Sequence, residues 1–294
     1  MNGLLLRRRV ASKSVPYQNL TFEIISGGTI IWKKNNTNAA DKTIEYKINN
    51  GEWISITASS TTGSSLTVSG GDFVEFRGNN NGYGTSDVNA CKFDGTAIFN
   101  VYGNLDSIIG RTPITTTYAF ASLFSGNKGI RSAENLILPT NTTSNCYRSM
   151  FQSSTITKAP ATLPALELST YCYGAMFYSC TSLTSVPHIL PATVLKTDCY
   201  RAMFYGCSNI TAAPTLPALQ LVTRCYYTMF QGCNKLSYIK AMFTSTPTST
   251  SSSGTTYRWL RGVASAGTFV KNSDATWDVS GESGIPSGWT VEQI

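Results

Sequence analysis

Between Tyr118 and Leu236 the chain repeats itself, and that repetition limits its folds more than anything else in it. Met150-Phe151, Met176-Phe177, Met203-Phe204 and Met229-Phe230 follow one another at spacings of 26, 27 and 26 residues. Leu123-Phe124 stands 27 residues ahead as a worn copy. A Cys-Tyr pair precedes each Met by four residues: Cys146-Tyr147, Cys172-Tyr173, Cys199-Tyr200 and Cys225-Tyr226. A second cysteine follows in three copies, at Cys180, Cys207 and Cys233, with Ser154 at that place in the other. Three of the copies then run to a proline (Pro160, Pro187 or Pro214) and a Leu-Pro-Ala step. Repetition at this period is the mark of stacked units, each too small to bury its own apolar face.

Within one copy, Cys172, Met176 and Cys180 lie at i, i+4 and i+8, so the spacing predicts a short helix with one apolar face. The intervening residues that change between copies, Arg148-Ser149, Gly174-Ala175, Arg201-Ala202 and Tyr227-Thr228, fit its outer side. Leu183 to Val186 then reads as a short strand stopped by Pro187. The tyrosines 147, 173, 200 and 226 read as a ladder stacked inside the array.

The pattern Cys-Tyr-x-x-Met-Phe-x-Gly-Cys-x-x-Leu-Thr-x-x-Pro-x-Leu-Pro-Ala resembles the BspA-like (Treponema pallidum type) leucine-rich repeats, a family abundant in gut Bacteroidales and their phages. Trp259 to Lys271 and Gly284 to Thr290 look like the closing segment of such arrays. The resemblance covers about residues 118–294. It implies an α/β leucine-rich-repeat solenoid with a C-terminal cap, acting as an adhesin or surface binding protein.

Residues 17–105 read as an all-β module. Leu20 to Ile24, Thr29 to Trp32, Leu66 to Val68, Phe73 to Phe76 and Ala97 to Val101 are short apolar or alternating runs. Ile44 to Ile48 and Glu52 to Ile56 flank Asn49-Asn50-Gly51, a hairpin signal. Their spacing suggests an immunoglobulin-like sandwich. The fold class expected is therefore multi-domain: a β-sandwich at 17–105, a linker at 106–117, repeats at 118–239 and a capping segment at 240–294. Tyr83, within Asn79 to Gly84, reads either as part of a connecting loop or as a glycan contact.

The net charge of +7 is unevenly placed. Arg7, Arg8, Arg9 and Lys13 lie in the first 16 residues, which leaves +3 for the rest, so the body lacks the basic face of a nucleic-acid binder. Leu4, Leu5 and Leu6 precede those arginines. This order differs from a secretory signal, in which charge comes first and a longer apolar run follows. No apolar run is long enough to span a membrane. Residues 1–16 read as a solvated terminus, as an RNA- or DNA-binding arm, or as an attachment arm, with Leu4 to Leu6 entering a groove and Arg7 to Arg9 pairing with acidic groups of a larger assembly.

Seven of the eight cysteines recur at the repeat period and read as free, buried thiols. No CxxC motif and a single histidine, His188, argue against a zinc site. The usual hydrolase and nucleotide-binding motifs are missing too, so no enzyme, cofactor or metal is expected. Residues that vary on the expected inner face, Lys158, Ser185 and Tyr238 with His188 and Lys240 nearby, form the candidate ligand face; a solvated face without a ligand is the other reading. Together these features suggest a phage virion protein made in the host cytoplasm. Its arm would contact other virion proteins and its repeats would meet a host surface glycan or protein. A bacterial cell-surface adhesin with its signal removed is the alternative, and self-association is left open.

Overall fold

The computed structural model describes residues 18–294. Its first part is built from β1 (Leu20–Ser26), β2 (Gly28–Lys34), β3 (Lys42–Ile48), β4 (Ile54–Ala58), β5 (Ser64–Val68), β6 (Phe73–Arg77), β7 (Cys91–Gly95) and β8 (Ile98–Asn104). These strands carry the alternation read from the sequence: along β8, Phe99, Val101 and Gly103 point inward while their neighbours are half-exposed. Asn49 takes the left-handed conformation needed at the β3–β4 turn, at φ 55°. Its side chain is tied to Asp72 and to the Phe73 N–H. Phe22 lies at the centre of this part, its ring 4.4 Å from Phe99, 4.7 Å from Phe76 and 5.0 Å from Phe93.

A ninth strand, β9 (Ile130–Ile137), comes from the first, worn copy and pairs in parallel with β8. The larger sheet therefore runs β4-β3-β6-β1-β8-β9 and is mixed; β5-β2-β7 form a smaller antiparallel one. The segment 105–108 is a single 3₁₀ turn whose Leu105, Ser107 and Ile108 are buried. One continuous apolar core extends from Leu20 to Trp289.

The expected α/β leucine-rich-repeat solenoid is contradicted. Apart from that 3₁₀ turn no helix occurs among the described residues, and the chain is all-β and irregular coil with mixed sheets. Within 17–105 every strand pair among the described residues is antiparallel, in two sheets; the parallel pairing comes from β9, which lies outside that range and adds to the β8 edge.

The residues expected to be helical form instead a run of overlapping turns. The N–H groups of Cys146, Arg148, Met150, Gln152 and Ser154 donate to carbonyls three residues back, at 3.0–3.2 Å. The alternating N–H groups of Asn145, Tyr147, Ser149, Phe151 and Ser153 donate to Thr170, Cys172, Gly174, Met176 and Tyr178 in the next copy, at 2.8–3.0 Å. An α-helix would keep all of these bonds within itself.

Sending alternate bonds outward goes with a left-handed residue at every fourth place. Asn145, Ser149 and Ser153 have φ near 60°, as do Tyr171, Ala175 and Ser179 in the next copy. Asp198, Ala202 and Gly206, then Arg224, Thr228 and Gly232, continue the series. A four-residue period returns Cys, Met and Cys to one side just as a helix would, which is why the spacing resembled one.

The copies stack through two aromatic columns. In one, Tyr83, Phe120, Tyr147, Tyr173, Tyr200 and Tyr226 follow at centroid separations of 5.3–6.5 Å. In the other, Phe93, Phe124, Phe151, Phe177, Phe204 and Phe230 lie 5.3–5.6 Å apart, with rings within 19° of parallel. The first column thus continues the tyrosine ladder expected from the repeats back into the first module. Both columns end on Trp259.

The chain around Trp259 takes one further rung: Phe230 and Gly232 donate to the carbonyls of Trp259 and Arg261. Beyond it, β10 (Tyr238–Ala241), β11 (Thr268–Lys271) and β12 (Thr290–Gln293) form a small parallel sheet. Buried Trp277 and Trp289 close this end, with indole N–H groups donating to Phe243 and Ala264 carbonyls at 3.0 and 2.8 Å.

The left-handed positions yield a test of opposite signs. A Cβ on Gly206 would meet nothing nearer than Ser179 Oγ at 3.4 Å, so Gly206→Ala carries only the conformational penalty, about 1 kcal/mol. Thr228 is β-branched at φ 50°, and Thr228→Gly relieves a penalty of about the same size. Chemical denaturation should show the first variant less stable than the parent and the second at least as stable.

Candidate functional site

Leu4, Leu5, Leu6, Arg7, Arg8 and Arg9 lie outside the described residues. Of the candidate ligand face, Lys158 and Ser185 come into register. Parallel bridges join Ser132 to Lys158 and Lys158 to Ser185, and both Lys158 and Ser185 are exposed. Lys158 Nζ lies 2.8 Å from Glu134 Oε2 across one copy boundary, an exposed pair with little energetic weight.

Tyr238, 39% exposed, and Lys240 share β10, where Tyr238 is bridged to Ala212. His188 is exposed past Pro187, and its carbonyl accepts the Thr215 N–H. The loop reading of Tyr83 as a glycan contact is corrected. Its ring is 1% exposed, heads a core column and donates its hydroxyl to the Ile108 carbonyl.

The turn side of the stack carries a network that the spacing argument treated only as an outer face. Arg148 and Arg201, from the copies on either side, place their guanidinium carbons 4.7 and 5.6 Å from the Tyr171 ring centre. Arg201 lies 4.7 Å from Tyr227 as well. Asp198, only 3% exposed, receives Arg224 at 2.7 Å and Arg201 at 3.5 Å. Gly174 occupies the place of Arg148, Arg201 and Tyr227, and a Cβ there would stand 2.1 Å from Tyr171 Cδ1. The missing side chain makes room for the Tyr171 ring. The recurrence of Arg and Tyr at these offsets was the available signal.

A separate groove of about 580 Å³ opens on the first module. Arg77 Nε donates to Glu45 at 2.7 Å while its guanidinium lies 4.1 Å from the Trp53 ring centre. The hydrogen bond from Arg77 holds the Glu45 carboxyl below its usual pKa. Across the groove, Arg111 Nη2 donates to the Gln18 carbonyl at 2.6 Å and to Asn19 Oδ1 at 2.9 Å.

All eight cysteines are free and buried. The thiols of Cys180, Cys207 and Cys233 donate to the carbonyls of Phe151, Phe177 and Phe204 one copy back, at 2.9–3.0 Å. Burial pushes the thiols of Cys91, Cys172, Cys225 and Cys233 up to about 12 and that of Cys180 to about 11. Cys146, Cys199 and Cys207 also lie above their usual range. Such groups stay protonated at neutral pH and do not serve as thiolate nucleophiles. Among the described residues no group of three or more His, Cys, Asp or Glu is placed to hold a metal. No helix among the described residues is long and apolar enough to cross a membrane.

Comparison with protein families, with curated proteins and with solved structures finds no match for this chain.

Two measurements check this account of the thiols and phenols. A disulfide-exchange reagent should find no fast-reacting thiol in the native protein and eight after denaturation without reductant. Stability should also fall on the alkaline side. The buried thiols, with Tyr147, Tyr173, Tyr200 and Tyr226, have folded-state values raised above the 9.0 and 10.0 of free thiol and phenol. Their contribution is complete below pH 9. Above it the unfolded chain loses protons that the folded chain keeps, at about 1.4 kcal/mol per group per pH unit. Circular dichroism should record cooperative unfolding between pH 9 and about 12, and an unchanged spectrum through that window would contradict the assignment.

Proposed function

We propose that this protein is a non-enzymatic surface component of a phage virion, a capsid or tail decoration or a fibre. In this reading residues 1–16 attach it to other virion proteins, and the stacked copies are held outward toward a host surface glycan or protein. The observation that carries the reading is the pair of aromatic columns running unbroken from Tyr83 and Phe93 to Trp259. A body locked along its length keeps its outer side chains at fixed spacing, which is what a display surface requires.

Lys158, Ser185 and Tyr238, which differ between copies, are turned to solvent. Eight protonated, buried thiols fit synthesis in a reducing compartment. The virion assignment itself draws on the resemblance of the repeats to a family found in Bacteroidales phages.

Mass spectrometry of purified particles tests the location directly. The protein should copurify with particles, and deletion of residues 1–16 should abolish incorporation while leaving the circular dichroism spectrum unchanged. Recovery in a bacterial outer-membrane fraction and not in particles would contradict the virion assignment. Normal incorporation of the deletion variant would remove the arm from it.

A further inference from the structure

We propose that the groove on the first module binds the carboxylate-bearing end of an acidic sugar. This site is separate from the displayed copies, and its argument rests on its own lining.

The groove holds two guanidinium groups and one carboxylate. Arg77 and Glu45 neutralise each other through a single contact, Nε to Oε2. Both Nη atoms of Arg77 make no hydrogen bond with a described residue. Trp53 and Glu45 fix the group from two directions, so its free edge is already oriented.

Arg111 bonds only to neutral oxygens, those of Gln18 and Asn19, and makes no ion pair with a described residue. It also sits at φ 59°, a left-handed conformation that costs a non-glycine residue about 1–2 kcal/mol. The Asp106 carbonyl holds its backbone N–H at 2.9 Å. Backbone and side chain thus fix a cation at the rim without an ion-pair partner among the described residues.

The net charge of the lining is +1, so the groove has room for one anion. The unbonded Nη1–Nη2 edge of Arg77 is a fork that matches the two oxygens of a carboxylate, and Arg111 adds positive charge beside it. The remaining wall narrows the ligand class. The Trp53 ring already carries the Arg77 guanidinium and the Lys47 ammonium, at 4.1 and 5.2 Å from its centre, while exposed Ser55 and Asn79 carry a hydroxyl and an amide without a hydrogen-bond partner among the described residues. A bare oxyanion leaves that hydroxyl and amide unused. An anion on a polyhydroxylated ring uses them, and the volume of about 580 Å³ accommodates a mono- or disaccharide.

The test is an NMR titration of the full chain, following the Trp53 indole N–H. The probes are N-acetylneuraminic acid and glucuronic acid, with glucose as a neutral sugar, acetate as a carboxylate without a ring, and a short peptide with a free C-terminus. Saturable shifts with the acidic sugars, and binding of glucose and acetate weaker by about tenfold or more, are expected. Arg111→Gln should weaken acidic-sugar binding by about tenfold while leaving the spectrum of the core unchanged. Arg111→Lys, which keeps the charge, should lose less. The proposal is overturned if the indole resonance does not move, if glucose or acetate binds as well as the acidic sugars, if the peptide is preferred, or if Arg111→Gln has no effect.

Discussion

Every second amide in the turn segments belongs to the neighbouring copy, and the rest of the architecture depends on that fact. In the copy at 145–154 the even-numbered N–H groups close turns and the odd-numbered ones cross to the next copy. A copy standing alone would leave five donors on one side, and the matching carbonyls on the other, without partners. Water would take them up, but without the crossing bonds nothing offsets the roughly 1–2 kcal/mol of backbone entropy lost for each residue held in the turns. The turn conformation of one copy therefore depends on its neighbours.

The same alternation accounts for the side chains. Turns that repeat every four residues keep one side of the chain facing inward, and that side holds Cys, Tyr, Met, Phe and Cys. Stacking places each ring over its counterpart, so the columns follow from the backbone bonds and then reinforce them. Cysteine suits its places because a small thiol can donate to the Phe carbonyl one copy back without adding bulk. The ends need different residues. The first module meets the stack with Tyr83 and Phe93, whose N–H groups donate to the Ala119 and Leu123 carbonyls. At the far end tryptophans cover the last rung with their rings and bond carbonyls with their indoles.

Much of this was legible in the sequence. The copy boundaries, the stacked tyrosines, the free thiols and the strands of the first module follow from period, residue type and alternation. The helix did not follow, because over nine residues a four-residue turn period and a 3.6-residue helix period place the same side chains inward. The discriminating signal lay at the other positions: Asn145, Ser149, Ser153, Gly206 and Gly232 are poor helix formers, and several favour left-handed backbone. The attachment of β9 to β8 joins segments about thirty residues apart and has no local signature. Tyr83 was misplaced because its loop is polar while its ring belongs to the core. The Arg148–Tyr171–Arg201 network had a signal in the recurrence of Arg and Tyr at matching offsets, whereas the Arg111 rim depends on contacts between distant segments, which spacing alone does not encode.

Through-hydrogen-bond scalar couplings in isotope-labelled protein test the crossing bonds most directly. The account predicts couplings from the amide nitrogens of Tyr147 and Phe151 to the carbonyl carbons of Cys172 and Met176, and from Met150 to Tyr147 within the turn. Couplings from each of these amides to the carbonyl four residues earlier, together with a helical far-ultraviolet spectrum, would contradict it.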